Sequence, residues 1–108
     1  MQLNYRKYGS GDPLLILHGL FGSSDNWQTL GKKFSAQYQV FLIDLRNHGR
    51  SPHSAEFSYD LMAEDINEII LKEKLDGISI LGHSMGGKVA MRTVQKFPFH
   101  FKKLISKT

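Results

Sequence analysis

The stretch Ile78-Ser79-Ile80-Leu81-Gly82-His83-Ser84-Met85-Gly86-Gly87 decides the fold of this chain. A short, mainly apolar and β-branched run ends at Gly82, which is typical of a buried strand. A helical pattern begins after Ser84, and its apolar positions share one side: Val89, Ala90, Val94 and Phe97. The sequence therefore predicts a strand, a tight turn with Ser84 at its tip, and a helix.

Two glycines flank this serine in the pattern G-x-S-x-G. A tight strand-to-helix turn brings the residues two before and two after the serine together, so side chains at Gly82 and Gly86 would clash. Such a turn strains the serine backbone by ~1–3 kcal/mol and lifts the hydroxyl clear of the sheet. An ordinary strand–turn–helix can carry this pattern by chance. The strand before it and the helix after it favour a nucleophile elbow.

Other segments outside this stretch predict strands and helices in alternation. Continuous apolar runs at 14–17 and 40–43 indicate strands buried on both faces of a sheet. Alternation from Leu3 to Tyr8 indicates an edge strand, and another strand is predicted to begin at 103–106. Capping serines predict two helices, one beginning near Asp25 after Ser23 or Ser24 and one running from Ser58 to about Leu75.

This order predicts an α/β fold, a mostly parallel sheet with helices on both faces. Ligands of such sheets bind at the carboxyl ends of the strands. The pair His18-Gly19, the residue Asp44 and the residue Ser84 all follow predicted strands. We therefore expect three separate loops to meet at one place.

Composition limits the classes of protein that this chain can represent. Its 108 residues fit one small domain, and 41% apolar with 22% charged residues is typical of a globular protein. The net charge of +4 permits a basic surface patch, but no aromatic–basic motif accompanies it, so we expect solvated lysines and no nucleic acid. The absence of cysteine suits a cytoplasmic location. No apolar run approaches the ~20 residues of a membrane span, so no membrane insertion is expected.

Three motifs give the chain a family resemblance. They are His18-Gly19-Leu20-Phe21-Gly22, the segment Asp44-Leu45-Arg46-Asn47-His48-Gly49-Arg50-Ser51, and Gly82-His83-Ser84-Met85-Gly86-Gly87. In order and spacing they resemble the α/β-hydrolase family, most closely its small esterases. The resemblance implies a serine hydrolase of carboxylic esters that uses no cofactor and no metal. The three motifs together are highly specific for the superfamily, but they are much less specific for the substrate.

The resemblance also implies roles for particular residues. Ser84 would be the nucleophile, and the backbone amides of Leu20 and Met85 would form the oxyanion hole. Leu20 and Phe21 would wall the acyl pocket, although Phe21 could equally pack in the core. The remaining motif residues are expected to shape the loops: His18, Gly19, Gly82, His83 and Gly86.

A serine nucleophile of this kind needs an imidazole base and a carboxylate that orients it. In this family both follow the serine along the chain. Residues 1–108 therefore resemble a partial domain that ends before the acid and base, and we expect little activity from it alone. Asp44 precedes the serine, so we expect it to hold its loop together with Arg46.

Four acids on the second predicted helix are expected to form a solvated face with no metal site: Asp60, Glu64, Asp65 and Glu68. The strand near Leu104 and Ile105 would leave an open edge for self-association. Two alternatives stay open beside the esterase interpretation. One is an acyltransferase or thioesterase relative that uses the same serine, and the other is a non-catalytic fragment or binding module.

Overall fold

Strands and helices alternate along the chain in the computed structural model, which describes residues 1–107. The elements follow the predicted order: β1 (Tyr5–Tyr8), β2 (Asp12–Leu17), α1 (Gln28–Phe34), β3 (Tyr38–Ile43), α2 (Tyr59–Glu73), β4 (Ile78–His83), α3 (Met85–Lys96) and β5 (Phe101–Lys107). The predicted α/β class is confirmed.

The five strands form one sheet in the order β1-β3-β2-β4-β5. β1 runs antiparallel to β3, and the other neighbouring strands are parallel. The prediction of an edge strand at β1 is confirmed. β1 begins at Tyr5, later than the predicted Leu3, and the Asn4 amide just before it donates to Ser51 Oγ at 2.8 Å.

Helices cover both faces of the sheet, as predicted. α2 and α3 pack on one face over a large cluster that includes the fully buried Leu15, Phe41 and Ile80. α1 packs on the opposite face over a smaller cluster, which includes Ile16 and Leu42. Full burial of one such side chain typically contributes about 1.5–3 kcal/mol, so these two layers hold the strand ends in place.

Capping residues begin the helices close to the predicted positions. Ser58 Oγ accepts a hydrogen bond from the Leu61 amide at 3.1 Å, and α2 begins at the next residue, Tyr59. Ser23 caps a short 3₁₀ turn at Ser24–Trp27, and α1 follows that turn. The regular α-helix therefore begins later than the predicted Asp25.

β5 occupies the second edge of the sheet and begins at Phe101, before the predicted Lys103. Among residues 1–107, only β4 pairs with it. Leu104 and Ile105 are 39% and 41% exposed there. Within the same described part of the chain, no helix combines the length and apolar composition needed to cross a membrane.

Candidate active site

Ser84 lies at the tip of the tight turn between β4 and α3. Its backbone has φ 54° and ψ −116°, a conformation that L-residues rarely adopt, and its side chain is exposed. A Cβ at Gly82 would lie 2.2 Å from the Gly86 carbonyl oxygen, and a Cβ at Gly86 would lie 2.3 Å from that of Leu17. Any side chain at either position would clash with the backbone, so both positions require glycine.

Two backbone amides near this serine have free donor capacity. The Ser84 amide itself donates to the Lys107 carbonyl at 2.6 Å, which ties the turn to β5. In the described part of the chain, the amides of Leu20 and Met85 donate to no acceptor. Met85 is the first residue of α3, where amides point out of the helix and favour negative charge.

The loop that carries Leu20 follows β2 and turns sharply. The Gly22 amide donates to the Gly19 carbonyl at 3.0 Å, and Phe21 adopts a positive φ of 60°. Phe21 is 91% exposed, so the alternative that it packs in the core is wrong. A residue at the outer corner of such a turn points its side chain away from the sheet, a feature that composition does not reveal.

His18 joins this loop to the loop after β3. Its Nε2 accepts a hydrogen bond from the Leu45 amide at 3.0 Å, and its Nδ1 lies 2.7 Å from the Gly19 carbonyl oxygen. Both contacts are satisfied together only by a neutral ring with its proton on Nδ1. Burial lowers the pKa of His18, which favours that neutral form.

Asp44 binds three separate segments through its carboxylate. It accepts hydrogen bonds from the Ser24 amide at 2.6 Å, from Asn4 Nδ2 at 2.9 Å and from the Arg50 amide at 3.2 Å. Burial opposes ionisation of this carboxyl, but these hydrogen bonds outweigh it and lower the pKa of Asp44. A Cβ at Gly49 would lie 2.4 Å from the carboxyl carbon, so the loop closes tightly over it.

Arg46 pairs with Asp65 on α2 and not with Asp44. Its guanidinium binds the Asp65 carboxylate through two hydrogen bonds of 2.7 and 2.9 Å. Asp65 is 1% exposed, so the expectation that it belongs to a solvated helix face is wrong. The sequence pattern around Asp65 does not reveal this ion pair, because Arg46 lies 19 positions earlier in the chain.

The remaining histidines lack the arrangement of a catalytic base. His48 Nδ1 lies 2.9 Å from the Arg46 carbonyl oxygen, and His53 and His83 are exposed. His100 approaches Asp76 only to 3.9 Å. Among residues 1–107, no imidazole forms a hydrogen bond with a carboxylate, and no cluster of potential metal ligands is present.

A cavity of about 310 Å³ lies beside the elbow, and we call it the Trp27 pocket. Its lining residues are Gly19, Leu20, Gly22, Asn26, Trp27 and His83. Of the two residues predicted to wall an acyl pocket, Leu20 lines this cavity and Phe21 does not. Neither Trp27 nor Asn26 was predicted from the sequence to lie at the site. The capping turn at Ser23 was the available signal, because it aims both residues toward the Gly19 loop.

Comparisons with known proteins agree with this fold. The family model for the α/β-hydrolase fold matches residues 12–107. The solved structure of a marine microorganism esterase superposes with a TM-score of 0.95 at 52% identity, over 97% of this chain and 41% of the esterase. A Saccharomyces cerevisiae protein named probable alcohol acetyltransferase is 48% identical over 80% of this chain and 27% of its own length.

An sn-1-specific diacylglycerol lipase of Danio rerio is 42% identical over 90% of this chain and 32% of the lipase. The chain thus spans between about a quarter and two fifths of the length of these three proteins.

Proposed function

The chain belongs to the α/β-hydrolase family, and from this premise we propose that it carries the nucleophile of a serine hydrolase acting on carboxylic esters. The observation that carries the proposal is the backbone of Ser84, held at φ 54° between two glycines that tolerate no side chain. A strained backbone of this kind costs free energy, so it persists only where the surrounding structure compensates for it. Such residues cluster at active sites, and the conformation of Ser84 therefore supports a functional role.

In this proposal a general base takes the proton of the Ser84 hydroxyl while the Ser84 oxygen attacks the carbonyl carbon of the ester. The carbonyl π bond opens, and the resulting oxyanion accepts hydrogen bonds from the free amides of Leu20 and Met85. Collapse of the intermediate breaks the ester C–O bond, the same base returns its proton to the departing alkoxy oxygen, and an acyl group remains on Ser84. Water then releases the carboxylic acid by the same steps and restores the serine hydroxyl.

The Ser84 hydroxyl also needs an imidazole as its general base and a carboxylate that orients the imidazole. No imidazole among residues 1–107 is bound by a carboxylate, and the relatives are considerably longer than the matched region. We propose that residues corresponding to the unmatched part of the relatives supply both groups. In a serine protease, removal of the base alone lowers kcat by a factor of ~2 × 10⁶. The chain alone should therefore show little Ser84-dependent activity.

The test compares the purified 108-residue chain, its Ser84→Ala variant and a chimera that adds the second half of the marine esterase. We expect p-nitrophenyl acetate hydrolysis that depends on Ser84 in the chimera and is nearly absent in the chain alone. A fluorophosphonate probe should label the chimera at Ser84. A folded chimera that is labelled nowhere would contradict the assignment. Rapid Ser84-dependent hydrolysis by the chain alone would instead show that one of its own histidines is the base.

Acyl transfer to an alcohol is a second candidate, favoured by the similarity to the protein named probable alcohol acetyltransferase. The acyl-enzyme on Ser84 would form in the same way, and an alcohol would replace water in the second half of the reaction. The chimera, supplied with ethyl acetate and a second alcohol, distinguishes acyl transfer from hydrolysis. A transferase forms mainly the acetate ester of the second alcohol, whereas an esterase forms mainly acetic acid. If the folded chimera forms neither product, the chain is a non-catalytic fragment or binding module.

We also infer a small-molecule ester as the partner, with no role for nucleic acid, and a cytoplasmic location that suits the cysteine-free composition. Self-association through β5 is a further proposal. Among residues 1–107, one side of this strand has no neighbour, and Leu104 and Ile105 lie exposed on it. Such an edge is a template for pairing with another strand.

A further inference from the structure

A second cavity lies at the β1 edge of the sheet, between the N-terminal segment and α2, and we call it the α2 cleft. Its volume is about 360 Å³, and its lining includes Leu3, Tyr5, Ile69, Leu71 and Lys72. It shares no lining residue with the Trp27 pocket. β1 and β4 are three strand spacings apart in the sheet, or about 14 Å. A ligand in the α2 cleft would therefore be separate from the elbow.

The walls of the α2 cleft are mainly apolar and are supported by the core. Leu3 and Ile69 are buried members of the large cluster beneath α2, and Tyr5 packs against it with its ring centroid 6.0 Å from that of Phe41. Leu71 lies at the rim and is 61% exposed. An alkyl chain that covers these side chains removes apolar surface from water, which favours binding.

The two acids beside the α2 cleft already have cationic partners. The Met1 ammonium group pairs with the Glu68 carboxylate. Lys7 Nζ pairs with Glu73 at 3.1 Å. Neither carboxylate is therefore left to balance a further positive charge.

Lys72 supplies that further positive charge. Its Nζ lies 5.8 Å from the centroid of the Tyr5 ring, so the ammonium group stands over one wall of the α2 cleft. Among residues 1–107, Lys72 forms no ion pair. An ammonium group has three donors and no acceptor, so it is suited to an anionic group.

We propose that the α2 cleft binds a linear alkyl monocarboxylate, with its chain on Leu3, Ile69 and Leu71 and its carboxylate paired with Lys72. Ligand pockets typically measure ~300–1,000 Å³, so a cavity of about 360 Å³ is suited to a short or medium chain. The binding is non-covalent and does not involve Ser84. It is therefore independent of the proposed ester chemistry.

The test titrates octanoate into the full 108-residue chain at low salt and follows the backbone amides by NMR. We expect saturable shifts at Ile69, Leu71 and Lys72. Octylammonium has the same chain and the opposite charge. It should bind about fivefold more weakly, because an exposed ion pair contributes up to about 1 kcal/mol. Equal affinities for the two probes overturn the proposal.

The variants Lys72→Gln and Lys33→Gln separate the carboxylate contact from general surface charge. Both remove an exposed lysine, but Lys33 lies on α1 and is not part of the cleft lining. Lys72→Gln should lower the affinity for octanoate by about two- to fivefold and reduce its preference over octylammonium. Lys33→Gln should change neither. The same affinity in both variants overturns the assignment of Lys72.

The variants Leu71→Glu and Met91→Glu test where the chain lies. Both replace an exposed apolar residue on a helix, but only Leu71 lines the α2 cleft. The amide spectrum of each variant shows whether it is folded. Saturable binding should disappear in Leu71→Glu and persist in Met91→Glu. Undiminished binding by folded Leu71→Glu overturns the proposal. In the unaltered chain, linear shifts throughout, or saturable shifts only around the Trp27 pocket, also overturn it.

Discussion

At the scale of single residues, the elbow glycines differ sharply from a glycine elsewhere. Gly82→Ala places a methyl group 2.2 Å from a backbone oxygen, a contact that no side-chain movement relieves. We expect the free energy of unfolding to fall by about 3 kcal/mol or more in urea titration. Gly77→Ala is the matched control, because Gly77 has φ 58° and nothing within 4 Å of the added carbon. That variant should lose only about 1 kcal/mol. Equal losses would show that the elbow can relax.

The buried imidazole of His18 should make the stability of the chain depend on pH. Burial lowers its pKa below the ordinary 6.5, so the unfolded chain takes up this proton at higher pH than the folded chain. The stability that neutral His18 contributes is therefore complete above about pH 6.5 and is lost as the pH falls through the folded-state pKa. The groups that face the ring are Asp44 and His48.

Urea titrations between pH 5 and 8 measure this dependence. His18→Gln should flatten the loss of stability on the acid side, whereas His53→Gln, a change at an exposed ring, should not. An unchanged slope in His18→Gln would assign the acid sensitivity to another group.

At the scale of elements, the ion pair between Arg46 and Asp65 joins the loop after β3 to α2. The two side chains are 7% and 2% exposed, so removing one partner leaves a buried charge. We expect Asp65→Asn or Arg46→Met to lower the free energy of unfolding by about 3–5 kcal/mol. The double variant Arg46→Met/Asp65→Leu should recover much of this loss.

A double-mutant cycle in urea gives the coupling energy between the two side chains. The exposed pair of Arg92 and Asp60 is the control, and breaking it with Arg92→Met should leave unfolding nearly unchanged. If the coupling energy between Arg46 and Asp65 is no larger than that between Arg92 and Asp60, the buried ion pair does not stabilise the fold as proposed.

The elements themselves were largely predictable from the sequence, because strands buried on two faces are continuous apolar runs and serines mark the helix starts. Ser58 and the run at 40–43 illustrate both signals. Side-chain environment was less predictable where it depends on distant partners. Asp65 looks solvated until Arg46 is brought beside it, and Phe21 looks apolar enough for a core until the turn points it outward. The Trp27 pocket needs the capping turn and the Gly19 loop to be close, which only the folded sheet provides.

At the scale of the whole molecule, the open side of β5 predicts association between copies. Lys102, Lys103 and Lys107 repel a second positively charged chain, although Lys102 is neutralised in part by Asp12 at 2.8 Å. Salt screens such repulsion over about 10 Å at 0.1 M. We therefore expect sedimentation velocity to show more dimer or larger species at 0.5 M salt than at 0.05 M.

The matched variants Ile105→Lys and Leu71→Lys separate the strand edge from general surface charge. Both replace an exposed apolar residue, at 41% and 61% exposure, but only the first lies on β5. Association should disappear in Ile105→Lys and persist in Leu71→Lys. A monomer at both salt concentrations in the unaltered chain would show that the β5 edge is protected.

The carboxylate of Asp44 has a consequence for sequence divergence. It is bonded to three stretches that are distant along the chain, and the loop at Gly49 leaves no room above it. A longer acid at position 44 would collide with Gly49, and a neutral residue would leave the Asn4 side chain and the Ser24 amide without their acceptor. Substitutions at these positions should therefore be epistatic: each is tolerated only in particular backgrounds of the others. In an alignment of many related sequences, we expect the residues at positions 4, 44 and 49 to covary.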